Sequence, residues 1–298
     1  MKSGETKMIE TTNLSKSFGD KTVFANTDIT VEKGSICGLV GINGAGKSTL
    51  LRILAGVMRQ DGGEAKIDGE SVYENERVKS KIFFLPDDPY YDTGVTGEKL
   101  KKMYSVFYDF DEEIFAHFTG KFSLELKKPI RNFSKGMKRQ LFISVALACR
   151  PEYLFLDEAF DGLDPLARLE FKRGLITAQE KGCTVIIASH SLRELEDICD
   201  SFILIDEANV KVSGNIEKAL SNIFKLQLAF KQSVQPVNLP FEYIRAEVSG
   251  RVITVVARGD KAAIMAEISQ MHPLIMEEIP MNLEDLFIEE VQERGYLK

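Results

Sequence analysis

The sequence predicts an α/β fold: a largely parallel sheet covered on both faces by helices, followed by a smaller α+β unit. Three observations carry this. Nearly continuous apolar runs at 36–40, 153–156, 184–189 and 202–205 have the length and composition of strands buried on both faces. Segments with helical spacing alternate with them, at 48–58, 140–149, 166–181 and 192–199. From about Asn222 onward the pattern changes to shorter alternating runs.

Taken in order, residues 1–7 read as a flexible polar tail, and 8–15 and 22–31 read as strands joined by a turn at Gly19 and Asp20. The apolar strand 36–40 is followed by a glycine-rich loop and then by a helix, 48–58. Between about 97 and 123, Met103, Phe107, Phe110, Ile114 and Phe118 recur at three- and four-residue steps, which predicts a helical insertion. In the last part, 224–230, 243–248 and 252–257 read as strands, with Ser249-Gly250 as a hairpin turn between the last two. Two helices around a strand follow, the last capped by Asn282 with Asp285 in its acidic first turn. The expected domains are 8–222, with a helical part at about 90–150, and 223–298 as a small accessory unit.

Composition narrows the function classes. With 298 residues, 44% hydrophobic and 28% charged, the chain is long enough for a full core and is not disordered, collagenous or coiled-coil in type. A net charge of −7 without a Lys/Arg block gives little electrostatic support for a grip on nucleic acid. No apolar stretch is long enough to span a bilayer, and residues 1–7 have no apolar segment of the secretory kind. Cys37, Cys149, Cys183 and Cys199 lie mostly among apolar neighbours with no C-x-x-C spacing, so free thiols in a reducing cytoplasm are expected.

The strongest chemical signal is Gly41-Ile42-Asn43-Gly44-Ala45-Gly46-Lys47-Ser48, a G-x-x-x-x-G-K-S phosphate loop between an expected strand and an expected helix. Glycines let the backbone N–H groups turn inward around a phosphate, and the helix N-terminus adds positive potential. Lys47 would reach the β- and γ-phosphate oxygens, and the Ser48 hydroxyl would coordinate Mg²⁺. A second signal is Leu154-Phe155-Leu156-Asp157-Glu158, an apolar strand ending in two carboxylates where α/β sheets bind ligands. Asp157 would hold Mg²⁺, and Glu158 would orient or deprotonate a water attacking the γ-phosphate.

A third motif, Phe133-Ser134-Lys135-Gly136-Met137, precedes an expected helix. Here the chain resembles the ATP-binding-cassette (ABC) ATPases, whose L-S-G-G-Q signature it matches with Ser134 and Gly136 kept. The resemblance implies a P-loop NTPase core with an antiparallel β subdomain and a helical subdomain. It covers about 8–222 and extends to further residues. Phe18 matches the aromatic that stacks on adenine, although a core aromatic is the other reading. Thr49 continues the phosphate loop, Gly162-Leu163-Asp164 matches the D-loop at the dimer interface, and His190 matches the switch histidine that contacts the γ-phosphate. One element departs: in Phe84-Leu85-Pro86-Asp87-Asp88-Pro89, Asp87 stands where the family has a glutamine. Asp87 could still meet Mg²⁺ or the water, at the cost of negative charge beside a triphosphate.

The resemblance implies ATP and Mg²⁺ as ligands and two cassettes head to tail, each nucleotide lying between 41–48 of one and Ser134 and Gly136 of the other. It also implies separate membrane permease subunits, with the protein on the inner face of the membrane. Residues 282–287 resemble the ends of two-component exporter ATPases, which favours export over uptake. The rival is an ABC ATPase that remodels ribosomes or nucleic-acid complexes. Tyr104, Phe107, Tyr108, Phe110, Phe115 and Phe118 read as local core or as a groove for a partner helix. Lys135, Lys138 and Arg139 read as solvated surface.

Overall fold

The structure is a computed structural model that describes residues 8–42, 44–206, 209–215, 223–232 and 239–281, without the side chains of 206 and 209–215. The tail 1–7, Asn43, the boundary at Asn222, and the final helix with Asn282 and Asp285 lie outside the described residues. The chain divides into two compact units, Met1–Ser213 and Gly214–Lys298.

In chain order the elements up to the boundary are β1 (Met8–Phe18), β2 (Lys21–Glu32), β3 (Ile36–Val40), α1 (Lys47–Leu54), β4 (Gly62–Ile67), β5 (Glu70–Ser71), α2 (Glu76–Lys79) and β6 (Ile82–Leu85). There follow α3 (Gly97–Phe107), α4 (Glu112–Lys121), α5 (Lys135–Ala148), β7 (Tyr153–Asp157), α6 (Pro165–Glu180), β8 (Thr184–Ala188), α7 (Leu192–Glu196), β9 (Ser201–Asp206) and β10 (Asn209–Asn215). One antiparallel sheet has the order β2-β1-β4-β5. Of its strands, β2 alternates over 27–32, where Ile29 and Val31 are buried between exposed polar residues, and Ile9, Leu14 and Phe24 are buried in the same sheet. The six-stranded sheet has the order β10-β9-β3-β8-β7-β6, with β9-β3-β8-β7-β6 parallel. β3, β7 and β8 are buried at every position, as expected of near-continuous apolar runs, with Asp157 and Thr184 as the buried polar exceptions.

The helical insertion differs from expectation. It is two helices, broken where Asp111 caps α4 by accepting from the amides of Glu113 and Ile114 at 3.0 Å each. The inward stripe of α3 runs through Leu100 and Tyr104 to Tyr108, not through Met103 and Phe107, which are 49% and 73% exposed. Tyr104 stacks at 5.4 Å on Phe83, and the Tyr108 hydroxyl donates to the Ile82 carbonyl at 2.8 Å. Phe115 and Phe118 are core, as one of the two readings had it. The helix expected at 48–58 ends at Leu54, because Gly56 turns the chain with φ of 65°.

The strands at 62–85 were not foreseen. β4 opens on two glycines and buries only Ala65 and Ile67, so its alternation is short. Gly63 adopts φ of 71° where a Cβ would lie 2.2 Å from the Asn13 carbonyl of β1, so only glycine permits this close pairing. All four cysteines are free, and burial pushes the Cys37 and Cys183 thiols up to about 12, leaving them unreactive near neutral pH.

The second unit contains β11 (Ile223–Ala229), β12 (Arg245–Ser249), β13 (Val252–Arg258), α8 (Lys261–Gln270) and β14 (Ile275–Ile279). Its antiparallel sheet, β12-β13-β11-β14, packs Leu226, Leu228, Ile253 and Val255 with Ile264 and Ile268 of α8. The expected hairpin is present with its turn one residue later: Ser249 pairs with Val252, leaving Gly250 and Arg251 at the tip.

A polar tie joins the two sheets of the first unit. The Tyr153 hydroxyl donates to Asp68 Oδ1 at 2.7 Å, and Lys33 and Lys81 approach Asp68 Oδ2 at 3.7 and 3.6 Å. Tyr153→Phe leaves that carboxylate oxygen without its donor. The expected loss is about 1–2 kcal/mol, read as a lower midpoint in urea unfolding followed by circular dichroism.

Candidate functional site

The site is assembled where β3, β8 and β7 end. β3 runs into the glycine loop, and each glycine there has its own reason. A Cβ on Gly41 would lie 2.4 Å from the Ile205 carbonyl, and one on Gly46 would lie 2.7 Å from Val23 Cγ1 and 2.9 Å from the Phe24 ring. Gly46 also adopts φ of 110° and Gly44 φ of 83°, a left-handed conformation that favours glycine. Gly46 caps α1 with no side chain of its own, so it does not compete for the first amides of the helix. Ala45 is buried beneath the loop, its amide donating to the Ile42 carbonyl at 3.1 Å.

Lys47 is buried at the start of α1, where its Nζ donates to the Gly41 carbonyl at 2.7 Å and lies 3.7 Å from Glu158 Oε1. Ser48 and Thr49, both half-buried, follow on the helix, and the Ser48 hydroxyl lies near enough to the carboxylate of Asp157 to favour its charged form. Asp157 closes β7, only 2% exposed, and its Oδ1 is buried with no hydrogen-bond partner. Burial raises its pKa, the Ser48 hydroxyl opposes the rise, and the nearby charges of Glu158 and Asp87 add to it. A hydroxyl beside a buried carboxylate with an oxygen to spare is a hard-oxygen donor set, which fits a divalent cation such as Mg²⁺.

Glu158 takes φ of 48°, a strained conformation for a residue with a Cβ. Its amide donates to the Ala188 carbonyl of β8 at 3.0 Å, and its Oε2 accepts from the His190 amide at 3.3 Å and lies 2.9 Å from His190 Nδ1. Three separate chain segments, carrying Lys47, Glu158 and His190, thus meet through one carboxylate.

Further contacts steady the loops around this carboxylate. The Ser189 hydroxyl donates to Glu194 Oε2 at 2.9 Å and accepts from the Ser191 amide at 3.0 Å. Arg168 reaches Glu194 Oε1 at 2.8 Å with Nη1 and donates from Nε to the Leu163 carbonyl at 3.0 Å. The loop bearing His190 is therefore fixed to the loop before α6. Asp164 caps α6, accepting from the amides of Leu166 and Ala167, and Ser134 caps α5, accepting from the Met137 amide at 3.1 Å. A Cβ on Gly136 would lie 2.6 Å from the Gly162 carbonyl, so the start of α5 presses on the same loop.

The remaining expectations divide. Phe18 is 49% exposed at the end of β1, with Lys16 Nζ 5.4 Å from its ring centre, so the core reading of Phe18 falls. Arg139 is not solvated surface: it is buried at 4% exposure, and its guanidinium holds Asp87, which sequence reasoning missed. Arg168, Ser189 and Glu194 were missed as well; only their spacing near Asp164 and His190 could have singled them out. No described helix is long and apolar enough to cross a membrane.

Known proteins agree with this architecture. The family described as "ABC transporter" matches residues 24–161. The ABC transporter ATP-binding protein YtrB of Bacillus subtilis is 27% identical over 287 residues, covering 94% of this chain and 97% of that relative. The Nod factor export ATP-binding protein I of Sinorhizobium fredii is 30% identical over 292 residues, covering 94% and 84%. A solved structure described as the ATP binding subunit of an ABC transporter superposes with a TM-score of 0.66 at 28% identity, covering 72% of this chain and 92% of that one.

Glu158 raises the pKa of His190, first by its hydrogen bond and then by its charge, against a small opposing effect of burial. The associated stabilisation is fully present below the ordinary imidazole pKa and is lost as pH rises through the raised value. Glu158→Gln removes its main cause, so the His190 titration followed by NMR of labelled histidines should move to lower pH. An unmoved titration would contradict the contact.

Proposed function

The chain belongs to the ABC transporter family as an ATP-binding protein, and we propose that it hydrolyses ATP as a pair of cassettes to drive separate membrane permease subunits, in the direction of export. The observation that carries the hydrolytic part is the convergence of the loop 41–48, the orphaned buried oxygen of Asp157 and the Glu158–His190 contact in one place.

In this reading the amides of the loop, with Gly41, Asn43, Gly44, Ala45, Gly46, Ser48 and Thr49, cradle the phosphates, and Lys47 turns from the Gly41 carbonyl to the β- and γ-oxygens. The exposed ring of Phe18 offers a stacking face to adenine. Ser48 and Asp157 would hold Mg²⁺, which supplies charge neutralisation at the phosphate oxygens. Glu158 orients a water and accepts its proton, and His190, held by Glu158, bears on the γ-phosphate side. Ser134, Gly136 and Asp164 would complete the site of a second cassette across the dimer interface.

Coupling to a permease would use the exposed apolar side chains of the helical part. Met103, Val106 and Phe107 on α3 are 49%, 75% and 73% exposed, and Tyr90 is 86% exposed. The export direction rests on relatives such as the Nod factor export protein. Closing on ATP and reopening after hydrolysis would transmit the movement.

Two variants test the reading. Glu158→Gln should retain ATP binding, lose about 10²- to 10⁴-fold in turnover and accumulate a dimer on light scattering with Mg-ATP. A monomer at saturating ATP would contradict the paired site. Lys47→Ala should weaken ATP binding roughly ten- to a hundredfold in calorimetry, because it removes a charged hydrogen-bond donor.

A further inference from the structure

The loop that follows β6 carries Pro86 and Asp87, and it is held by one side chain. Arg139, on α5, donates from Nη2 to Asp87 Oδ1 and to the Asp87 carbonyl, each at 2.7 Å, and from Nη1 to the Pro86 carbonyl at 3.3 Å. The Arg139 side chain is 3% exposed, whereas that of Asp87 is 54% exposed. A guanidinium stays charged and has only donors, so at this burial it needs acceptors on every side it presents. Two carbonyls supply partial charge; Asp87 is the partner in the described ion pair of Arg139 that supplies a full one. The same α5 begins at the Ser134 cap and presses Gly136 on the Gly162 carbonyl.

We propose that Arg139 and Asp87 form an ion-paired latch that fixes the loop after β6 to α5, and that Asp87 serves the nucleotide site as one half of this positioning pair, not as a metal ligand. The inference deepens the hydrolytic reading and, for its functional arm, rests on it. A carboxylate at position 87 would by itself add negative charge beside Asp157, Glu158 and a triphosphate. Pairing with a buried cation offsets that charge while tying the loop to α5, the helix whose start would complete the site of the second cassette. A neutral residue at position 87 would leave Arg139 buried with no carboxylate, so each residue accounts for the other.

The test has two arms on the full-length protein. The first is a double-mutant cycle of thermal stability without nucleotide, using Asp87→Asn, Arg139→Gln and the double variant, with Arg139→Lys as a charge-keeping replacement should Arg139→Gln not fold. The latch predicts that each single variant lowers the melting temperature by several degrees and that the double variant falls no further than the worse single. Additive losses overturn it. This arm needs no hydrolysis, so it decides the latch even if the protein turns over no ATP.

The second arm is ATP hydrolysis by wild type and Asp87→Asn against Mg²⁺ concentration. A positioning role predicts kcat lower by about tenfold, with KM for ATP and the Mg²⁺ concentration at half-maximal rate within about twofold of wild type. Arg139→Lys, which keeps the charge without the fork, should lower kcat in the same way. A rise of about tenfold in the Mg²⁺ requirement of Asp87→Asn, absent from Arg139→Lys, would identify Asp87 as a metal ligand and overturn the proposal.

Discussion

The site depends on one constraint, the parallel pairing of β8 between β3 and β7. Because all three strands point the same way, the loops at Gly41, Glu158 and His190 emerge side by side. Register makes this specific: Asp157 lies opposite Ala188, and the Glu158 amide continues the ladder to the Ala188 carbonyl. That last bond sets Glu158 in its left-handed conformation and turns its carboxylate across the strand end to His190. Long-range strand pairing, not local sequence, therefore creates the chemistry.

Around this core the loops are held by contacts that leave no room for a Cβ. Gly41 sets the phosphate loop against the Ile205 carbonyl of β9, and Gly136 sets the start of α5 against the Gly162 carbonyl of the loop before α6. Ion pairs do the same across greater distances, through Arg168 and Glu194 for the loop bearing His190, and through Arg139 for the loop after β6. Lys47, poised between the Gly41 carbonyl and Glu158, is the one cation shared by the phosphate loop and the strand-end carboxylates among the described residues. A nucleotide that drew Lys47 away would change the field at Glu158, which links the phosphate loop to this carboxylate.

Much of the architecture was legible because it is local. Unbroken apolar runs marked β3, β7, β8 and β9 closely, and the order strand, glycine loop, helix was correct. What failed was information held by distant partners. The stripe through Met103 and Phe107 has helical spacing, yet α3 turns Leu100 and Tyr104 inward because Phe83 of β6 offers the packing surface. Arg139 has the composition of a surface residue and is buried because Asp87, far away in sequence, supplies its counter-charge. Phe18 illustrates the reverse: the sequence reads it as a stacking face with core as the alternative, and the exposed end of β1 removes the alternative.

The central claim is that one copy of this chain supplies only half of each hydrolytic site. Specific ATPase activity measured across a wide range of protein concentrations tests it most directly. The account predicts that activity per molecule rises with concentration and then levels off, as copies pair around nucleotide. Activity per molecule that stays constant down to concentrations at which light scattering detects only monomer would contradict it.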